Sequence, residues 1–201
     1  MLRNLSLFSG IGGLDLSAKW LGIKTVAYVE NDSYAQSVLL SRMRSGELDD
    51  APIFEDVKSF RGTSLRGSID IVSGGFPCQP HSKSGKQERE RDVRNLWPEY
   101  LRIVRECRPS FVLGENVYGI WSNGYALKVM EDLEEIGYCC TPVLSTACEV
   151  GGPFPRKRVF FVAHTMRFRR SLDKEKIKKR EHPEKPRPRW TETPMVSLDL
   201  G

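Results

Sequence analysis

Asn4-Leu5-Ser6-Leu7-Phe8-Ser9-Gly10-Ile11-Gly12-Gly13 is the stretch from which the fold is read. Asn4 to Phe8 reads as a short strand and Ser9 to Gly13 as a glycine-rich turn. Leu14, Leu16, Ala18 and Leu21 then recur at helical spacing until Gly22 stops them. The same alternation continues outward. Thr25 to Val29 is β-branched and apolar, a second strand ending at Glu30, and Ser33 is the expected N-cap of a helix through Ala35, Val38, Leu39 and Met43. Pro52 to Phe54 is a short strand leading to Glu55 and Asp56, and Ile69 to Ser73 a stronger one. Helices are expected over Leu96 to Arg105 and Tyr125 to Ile136, with strands over Phe111 to Leu113, Tyr138 to Leu144 and Val159 to Ala163. Strands and helices alternating through short links predict an α/β fold, a doubly wound and mostly parallel sheet.

The 201 residues have room for one such core and a small appendage. No apolar run is long enough to span a membrane, and Met1 to Asn4 runs straight into a strand without a secretory pattern, so a cytoplasmic protein is expected. Five cysteines without C-x-x-C spacing and only three histidines argue against a disulfide scaffold or a zinc site; no metal is expected. The net charge of +5 is unevenly spread. Residues 167–189 hold eleven Lys/Arg against four Asp/Glu, leaving twenty basic and twenty-two acidic residues elsewhere. A basic tail on a near-neutral body fits either a polyanionic partner or a solvated charged segment. The expected division is a core over 1–164 and a basic, proline-containing tail over 165–201.

In doubly wound sheets ligands bind beyond the carboxyl ends of the strands. The glycines, Glu30, Asp56, Cys78 and Glu115 are all expected there. Glu30 follows Gly10 by twenty positions, the separation at which an acidic side chain meets a ribose hydroxyl. Gly-Ile-Gly-Gly lacks G-x-G-x-x-G spacing, however, because Asp15 stands at the third-glycine position, where it would oppose a pyrophosphate. A cationic nucleoside without phosphate, S-adenosylmethionine, is favoured over a dinucleotide. Cys78 lies between Pro77 and Pro80, beyond Gly74 and Gly75, on backbone that the prolines stiffen. Taken alone it is either a nucleophile or a small structural cysteine. Pro80 to Arg94 is too polar to bury itself and is expected to be a surface loop.

Phe8-Ser9-Gly10-Ile11-Gly12-Gly13, Gly75-Phe76-Pro77-Cys78-Gln79-Pro80, Arg94-Asn95-Leu96-Trp97-Pro98-Glu99, Glu115-Asn116-Val117 and Arg156-Lys157-Arg158-Val159-Phe160 resemble, in order, the signature motifs of the cytosine-C5 DNA methyltransferases. The resemblance covers about residues 2 to 164 and implies a Rossmann-like S-adenosylmethionine-dependent methyltransferase fold. It implies Cys78 as the nucleophile that adds to cytosine C6, making C5 nucleophilic, and as the group that later leaves. A free thiol with a pKa of about 8.5 needs electropositive neighbours for this. Glu115 is implied to meet N3 and the 4-amino group, in a protonated form that burial with little competing charge would favour. Arg156 and Arg158 are implied beside them, Arg158 nearest the base and Arg156 bracing Cys78. Phe154 stands where the family usually has Gln.

For the cofactor, the resemblance implies Phe8 beside the adenine, with Gly10, Ile11 and Gly12 shaping the turn. Glu30 would sit on the ribose, Asp56 on the adenine amino group, and Asn31, Val57 and Pro77 around them. The polar loop resembles the one that closes over a flipped base, with Gln79, Ser82, Lys86 and Arg94 as DNA contacts. The implied partner is double-stranded DNA, in a restriction–modification or phage DNA-protection setting.

Family members generally continue past the Arg-x-Arg strand into a target-recognition region and a closing Gly-Asn-x-Val motif, which this sequence lacks. Four readings follow: an enzyme whose recognition region comes from a second polypeptide, a truncated copy with little activity, an RNA cytosine-C5 methyltransferase, or a non-enzymatic nucleic-acid-binding module. The presence of Cys78, Glu115, Arg156 and Arg158 argues against the last, since a pure binder has no use for them.

Overall fold

The computed structural model describes residues 1–77 and 95–165. Cys78, Gln79, Ser82, Lys86, Arg94, the expected surface loop and nearly all of the basic tail lie outside the described residues. Seven strands form one sheet: β1 (Arg3–Leu7), β2 (Lys24–Val29), β3 (Ile53–Phe54), β4 (Ile71–Gly75), β5 (Phe111–Val117), β6 (Tyr138–Thr146) and β7 (Lys157–Thr165), in the order β3-β2-β1-β4-β5-β7-β6. The first five are mutually parallel, while β7 runs antiparallel between β5 and β6. The doubly wound α/β expectation is met. Local pattern gave no hint that β7 inserts between β5 and β6, because that pairing is set by residues far apart in the chain.

Helix α1 (Gly13–Trp20) follows β1, α2 (Ser33–Arg44) follows β2, α3 (Trp97–Cys107) precedes β5, and the short α4 (Gly119–Ser122) and α5 (Tyr125–Glu135) precede β6. Trp97, Tyr100, Leu101, Val104 and Cys107 recur at three- and four-residue spacing and bury one face of α3. With Val129 and Leu133 of α5 they join Leu5, Leu7, Val72, Val112, Val159, Phe161 and Ala163 of the sheet in the main core. A smaller cluster of Tyr28, Leu39, Met43 and Leu48 anchors α2.

Two local expectations change. Asp32, not Ser33, caps α2, its carboxylate accepting from the Ala35 N–H at 2.7 Å. Strand β5 continues to Val117, so Glu115 lies within the strand, opposite Gly75 on one side and Phe160 on the other. Antiparallel β7 begins where parallel β5 ends, so the basic residues at its start arrive at the rim that carries the other strands' carboxyl ends.

That convergence requires strands packed backbone to backbone. A Cβ on Gly74 would overlap the Leu7 carbonyl oxygen, so only glycine lets β1 and β4 meet there. Gly12 caps α1 at φ 84°, and a Cβ on it would fall 2.5 Å from Leu48 Cδ1.

Candidate active site

A cleft of 460 Å³ opens at the carboxyl ends of the parallel strands. Phe8, Val57, Pro77 and Leu96 give it apolar walls, while Glu30, Glu55 and Asp56 bring carboxylates and Asn31 and Lys58 complete the rim. Phe8 holds φ at +50°, a left-handed conformation that costs an aromatic residue roughly 1–3 kcal/mol. It aligns the ring with that of Tyr100, 6.5 Å away and inclined by 13°. Tyr100 is itself buried and donates between the carbonyls of Val72 at 3.2 Å and Leu113 at 3.1 Å, tying β4 to β5; burial raises its phenol pKa.

Glu30 is fixed by the backbone around it. Its Oε2 accepts from the Gly10 N–H at 2.7 Å and its Oε1 from the Asp32 N–H at 2.9 Å. The expected separation of twenty positions therefore closes a direct contact between glycine turn and carboxylate. Gly12 serves packing rather than the cleft, and Ile11 is exposed, its carbonyl accepting from Arg42 at 2.8 Å. Asp56 turns its own loop by accepting from the Lys58 N–H at 2.9 Å.

The argument built on Asp15 is overturned. Its carboxylate is 1% exposed and points down into the sheet, accepting from Ser6 Oγ at 2.9 Å, Thr25 Oγ1 at 3.0 Å and Asn4 Nδ2 at 3.4 Å. Burial pushes its pKa up, against the hydrogen bonds from Ser6 and Thr25. It therefore does not face the position a pyrophosphate would occupy, and its identity says nothing about the ligand.

On β5, two strands along from β1, Glu115 forms an ion pair with Arg158 of β7, Arg158 Nε lying 2.6 Å from Glu115 Oε1. The expectation of a carboxyl with little competing charge is not met. A Cβ on Gly75 would come within 2.9 Å of Glu115 Oε2, so the glycine makes room for the second oxygen. Arg158 also donates from Nη1 to the Lys157 carbonyl at 2.8 Å, which orients the guanidinium. Arg156 stands exposed just before β7.

Asn116, 4% exposed, went unassigned in the sequence. Its Nδ2 donates to the Phe76 carbonyl at 2.8 Å, and its Oδ1 accepts from the Val117 N–H at 2.9 Å. It thus pins the backbone immediately before Pro77, the last described residue ahead of Cys78. Its position beside Glu115 was the available signal, but a strand alternates faces, so neighbours in sequence serve opposite sides.

The family model for C-5 cytosine-specific DNA methylase matches residues 2–198. The chain belongs to that family. The type II methyltransferase M.PspPI of Psychrobacter is 37% identical over 138 residues, covering 67% of this chain and 32% of that protein. M.NgoMIV of Neisseria gonorrhoeae is 34% identical over 165 residues, covering 80% of this chain and 51% of its own length. Among solved structures, an Escherichia coli prophage-encoded protein described as a DNA modification methyltransferase superposes with a TM-score of 0.68 at 30% identity, covering 86% of this chain and 48% of that one. The chain thus spans about half or less of these relatives' length. The C5-methylase fold accounts for the strand order and for the convergence of the described parts of the five motifs on one rim.

Proposed function

We propose that the chain is the catalytic part of a DNA (cytosine-5-)-methyltransferase that uses S-adenosylmethionine. The observation that carries this reading is the polarity of the rim. At the β2–β3 end Glu30, Glu55 and Asp56 face a nucleoside-sized cleft with apolar walls. At the β5–β7 end Arg156, Lys157 and Arg158 follow one another into β7, and Arg158 balances the charge of Glu115. A cationic nucleoside suits the first end and a polyanion the second.

The residues of the cleft fit the cofactor. Phe8 and Val57 offer flat apolar surface for an adenine, Asp56 an acceptor for its amino group, and Glu30 an acceptor for ribose hydroxyls. Asn31 and Pro77 close the sides, and the turn of Gly10, Ile11 and Gly12 leaves room above α1. When bound, S-adenosylmethionine supplies a methyl group on a sulfonium, an electrophile for a nucleophilic carbon.

The chain's own part is to create that carbon. Cys78 adds as thiolate to cytosine C6, forming a C–S bond and moving the C5–C6 π pair toward C5 while charge builds at N3. Glu115 faces N3 and the 4-amino group with Oε2, since Oε1 is held by Arg158, and relays to N3 a proton drawn from solvent as charge builds there. After methylation, loss of the C5 proton to a base re-forms the double bond and expels Cys78. Asn116 positions the Phe76-Pro77 backbone, and Arg156 braces the nucleophile's surroundings. Gln79, Ser82, Lys86 and Arg94 contact the DNA around a flipped base.

Recognition of a target sequence falls to polypeptide beyond the core of residues 1–164, whether the basic tail, the rest of a longer chain or a second polypeptide. One sheet face supports this: on the side of β5 and β7 that bears Leu113, Phe160 and Val162 none of the three is buried, and Val162 is 40% exposed. Duplex DNA as substrate places the protein in the cytoplasm beside the nucleoid, in a restriction–modification or phage DNA-protection setting. Among the described residues no helix is long and apolar enough to cross a membrane.

Transfer of tritium from labelled S-adenosylmethionine to duplex DNA and to RNA tests the reading, with the chain alone and with the product of the adjacent reading frame. Labelling of DNA that Cys78→Ala abolishes is expected. Labelling that survives Cys78→Ala sinks the mechanism, and labelling of RNA alone replaces the substrate.

A further inference from the structure

The middle residue of Arg156-Lys157-Arg158 has no part in the chemistry above, yet the structure gives it a defined place. Side chains alternate along β7, so while Arg158 turns to Glu115, Lys157 turns to the opposite flank of the same rim. There its Nζ lies over the Tyr118 ring, 5.5 Å from the centroid. Tyr118 is the first residue past β5 and is 40% exposed. Among the described residues Lys157 has no carboxylate partner.

An exposed lysine ordinarily samples many rotamers, and ordering it on binding costs entropy. Stacking on a ring fixes the stem beforehand without neutralising the ammonium. The result is a cation presented one residue from the catalytic ion pair, on the flank that Arg158 does not serve. Glu149 lies three residues past Thr146, the cross-strand partner of Lys157, and is engaged in the capping box of the Ala147–Val150 turn, where its Oε2 accepts from the Thr146 N–H at 2.8 Å; among the described residues no ion pair joins it to Lys157. A preorganised, unpaired, solvent-facing cation beside a site for a polyanion is what a backbone phosphate requires.

We propose that Lys157, held by Tyr118, binds a backbone phosphate flanking the target cytosine and so positions the duplex on the rim. This rests on the reading of the chain as a DNA methyltransferase. A phosphate contact carries no sequence information, so its loss weakens all duplexes alike and removes one counterion from the salt dependence.

The test is fluorescence-anisotropy binding of the full chain to labelled duplexes with and without cytosine, across a salt series. Lys157→Ala is expected to weaken both several-fold and to flatten the slope of log K against log salt by about 0.9. Tyr118→Ala is expected to weaken binding about two- to fivefold, and Tyr118→Phe, which keeps the ring face, to leave it unchanged. A merely structural role for Lys157 would lower the melting temperature and spare the slope. Binding by the wild type with an unchanged slope in Lys157→Ala overturns this inference alone. Failure of the wild type to bind duplex at low salt overturns the methyltransferase reading, and this inference with it.

Discussion

On the mechanism proposed above, one buried amide, that of Asn116, positions a nucleophile it does not touch. Its Nδ2 donates to the Phe76 carbonyl at 2.8 Å, inside the protein, where no water can replace it. Asn116→Ala leaves that carbonyl unsatisfied, at a cost of about 1–3 kcal/mol in urea unfolding. It also frees the backbone that leads to Cys78. Single-turnover methyl transfer should fall while cofactor affinity holds, because Glu30 and Asp56 sit on other strands. A loss of cofactor affinity equal to the loss of rate would refute the positioning role. Asp15 makes the complementary case. Burial raises its pKa, so between the ordinary carboxylate range and that raised value the folded state holds a proton the unfolded chain has released. Stability then falls as pH rises through this window. Asp15→Asn should remove that slope, whereas Asp15→Ala, which strands the Ser6 and Thr25 hydroxyls, should destabilise at every pH; thermal melts over the pH range compare the three. An unchanged slope in Asp15→Asn would assign it to another group.

Two adjacent glycines of β4 face different neighbours and so have different jobs. Gly74 meets the backbone of β1, which cannot yield, whereas Gly75 meets the end of the Glu115 side chain, which can. Gly74→Ala should destabilise by at least the upper end of the about 1–3 kcal/mol typical of overpacking, read by urea unfolding. Gly75→Ala should fold normally yet displace Glu115, lowering methyl transfer with the melting temperature kept. A stable Gly74→Ala protein would mean that β1 and β4 are less tightly registered than their pairing shows. Strand-level features of this sort divide sharply in how far the sequence reveals them. The placement of Phe8, Glu30 and Asp56 at the strand ends around one cleft was legible because a strand running into polar residues marks its own carboxyl end. Antiparallel β7, the extension of β5 through Glu115 and the direction of Asp15 were not. Each depends on a partner distant in sequence, and neither periodicity nor spacing carries that information. The capping of α2 by Asp32 rather than Ser33 is a smaller miss, since both residue types cap equally well and only the entry angle of the chain decides.

Over the whole molecule, the sheet brings opposite charges to opposite ends of one rim, which makes the two proposed ligands separable by measurement. If the nucleoside binds at the Glu30 end through short hydrogen bonds inside the cleft, its affinity should respond weakly to salt. DNA binding at the β7 end should fall steeply with salt, as counterions return to the phosphates. Glu30→Gln replaces one oxygen by a donor facing the N–H of Gly10 or Asp32, so the side chain must turn away from the turn it holds. Its affinity for S-adenosylhomocysteine, measured by calorimetry, should drop about ten- to a hundredfold, the worth of a hydrogen bond to a charged group. Its affinity for duplex DNA should not change. Arg158→Ala should do the reverse, sparing the nucleoside and abolishing turnover, because Glu115 loses the partner that holds its Oε1. If Glu30→Gln weakened DNA and nucleoside alike, the rim would be a single coupled site. The separation of charge along the sheet would then be a consequence of strand order rather than the basis of its chemistry.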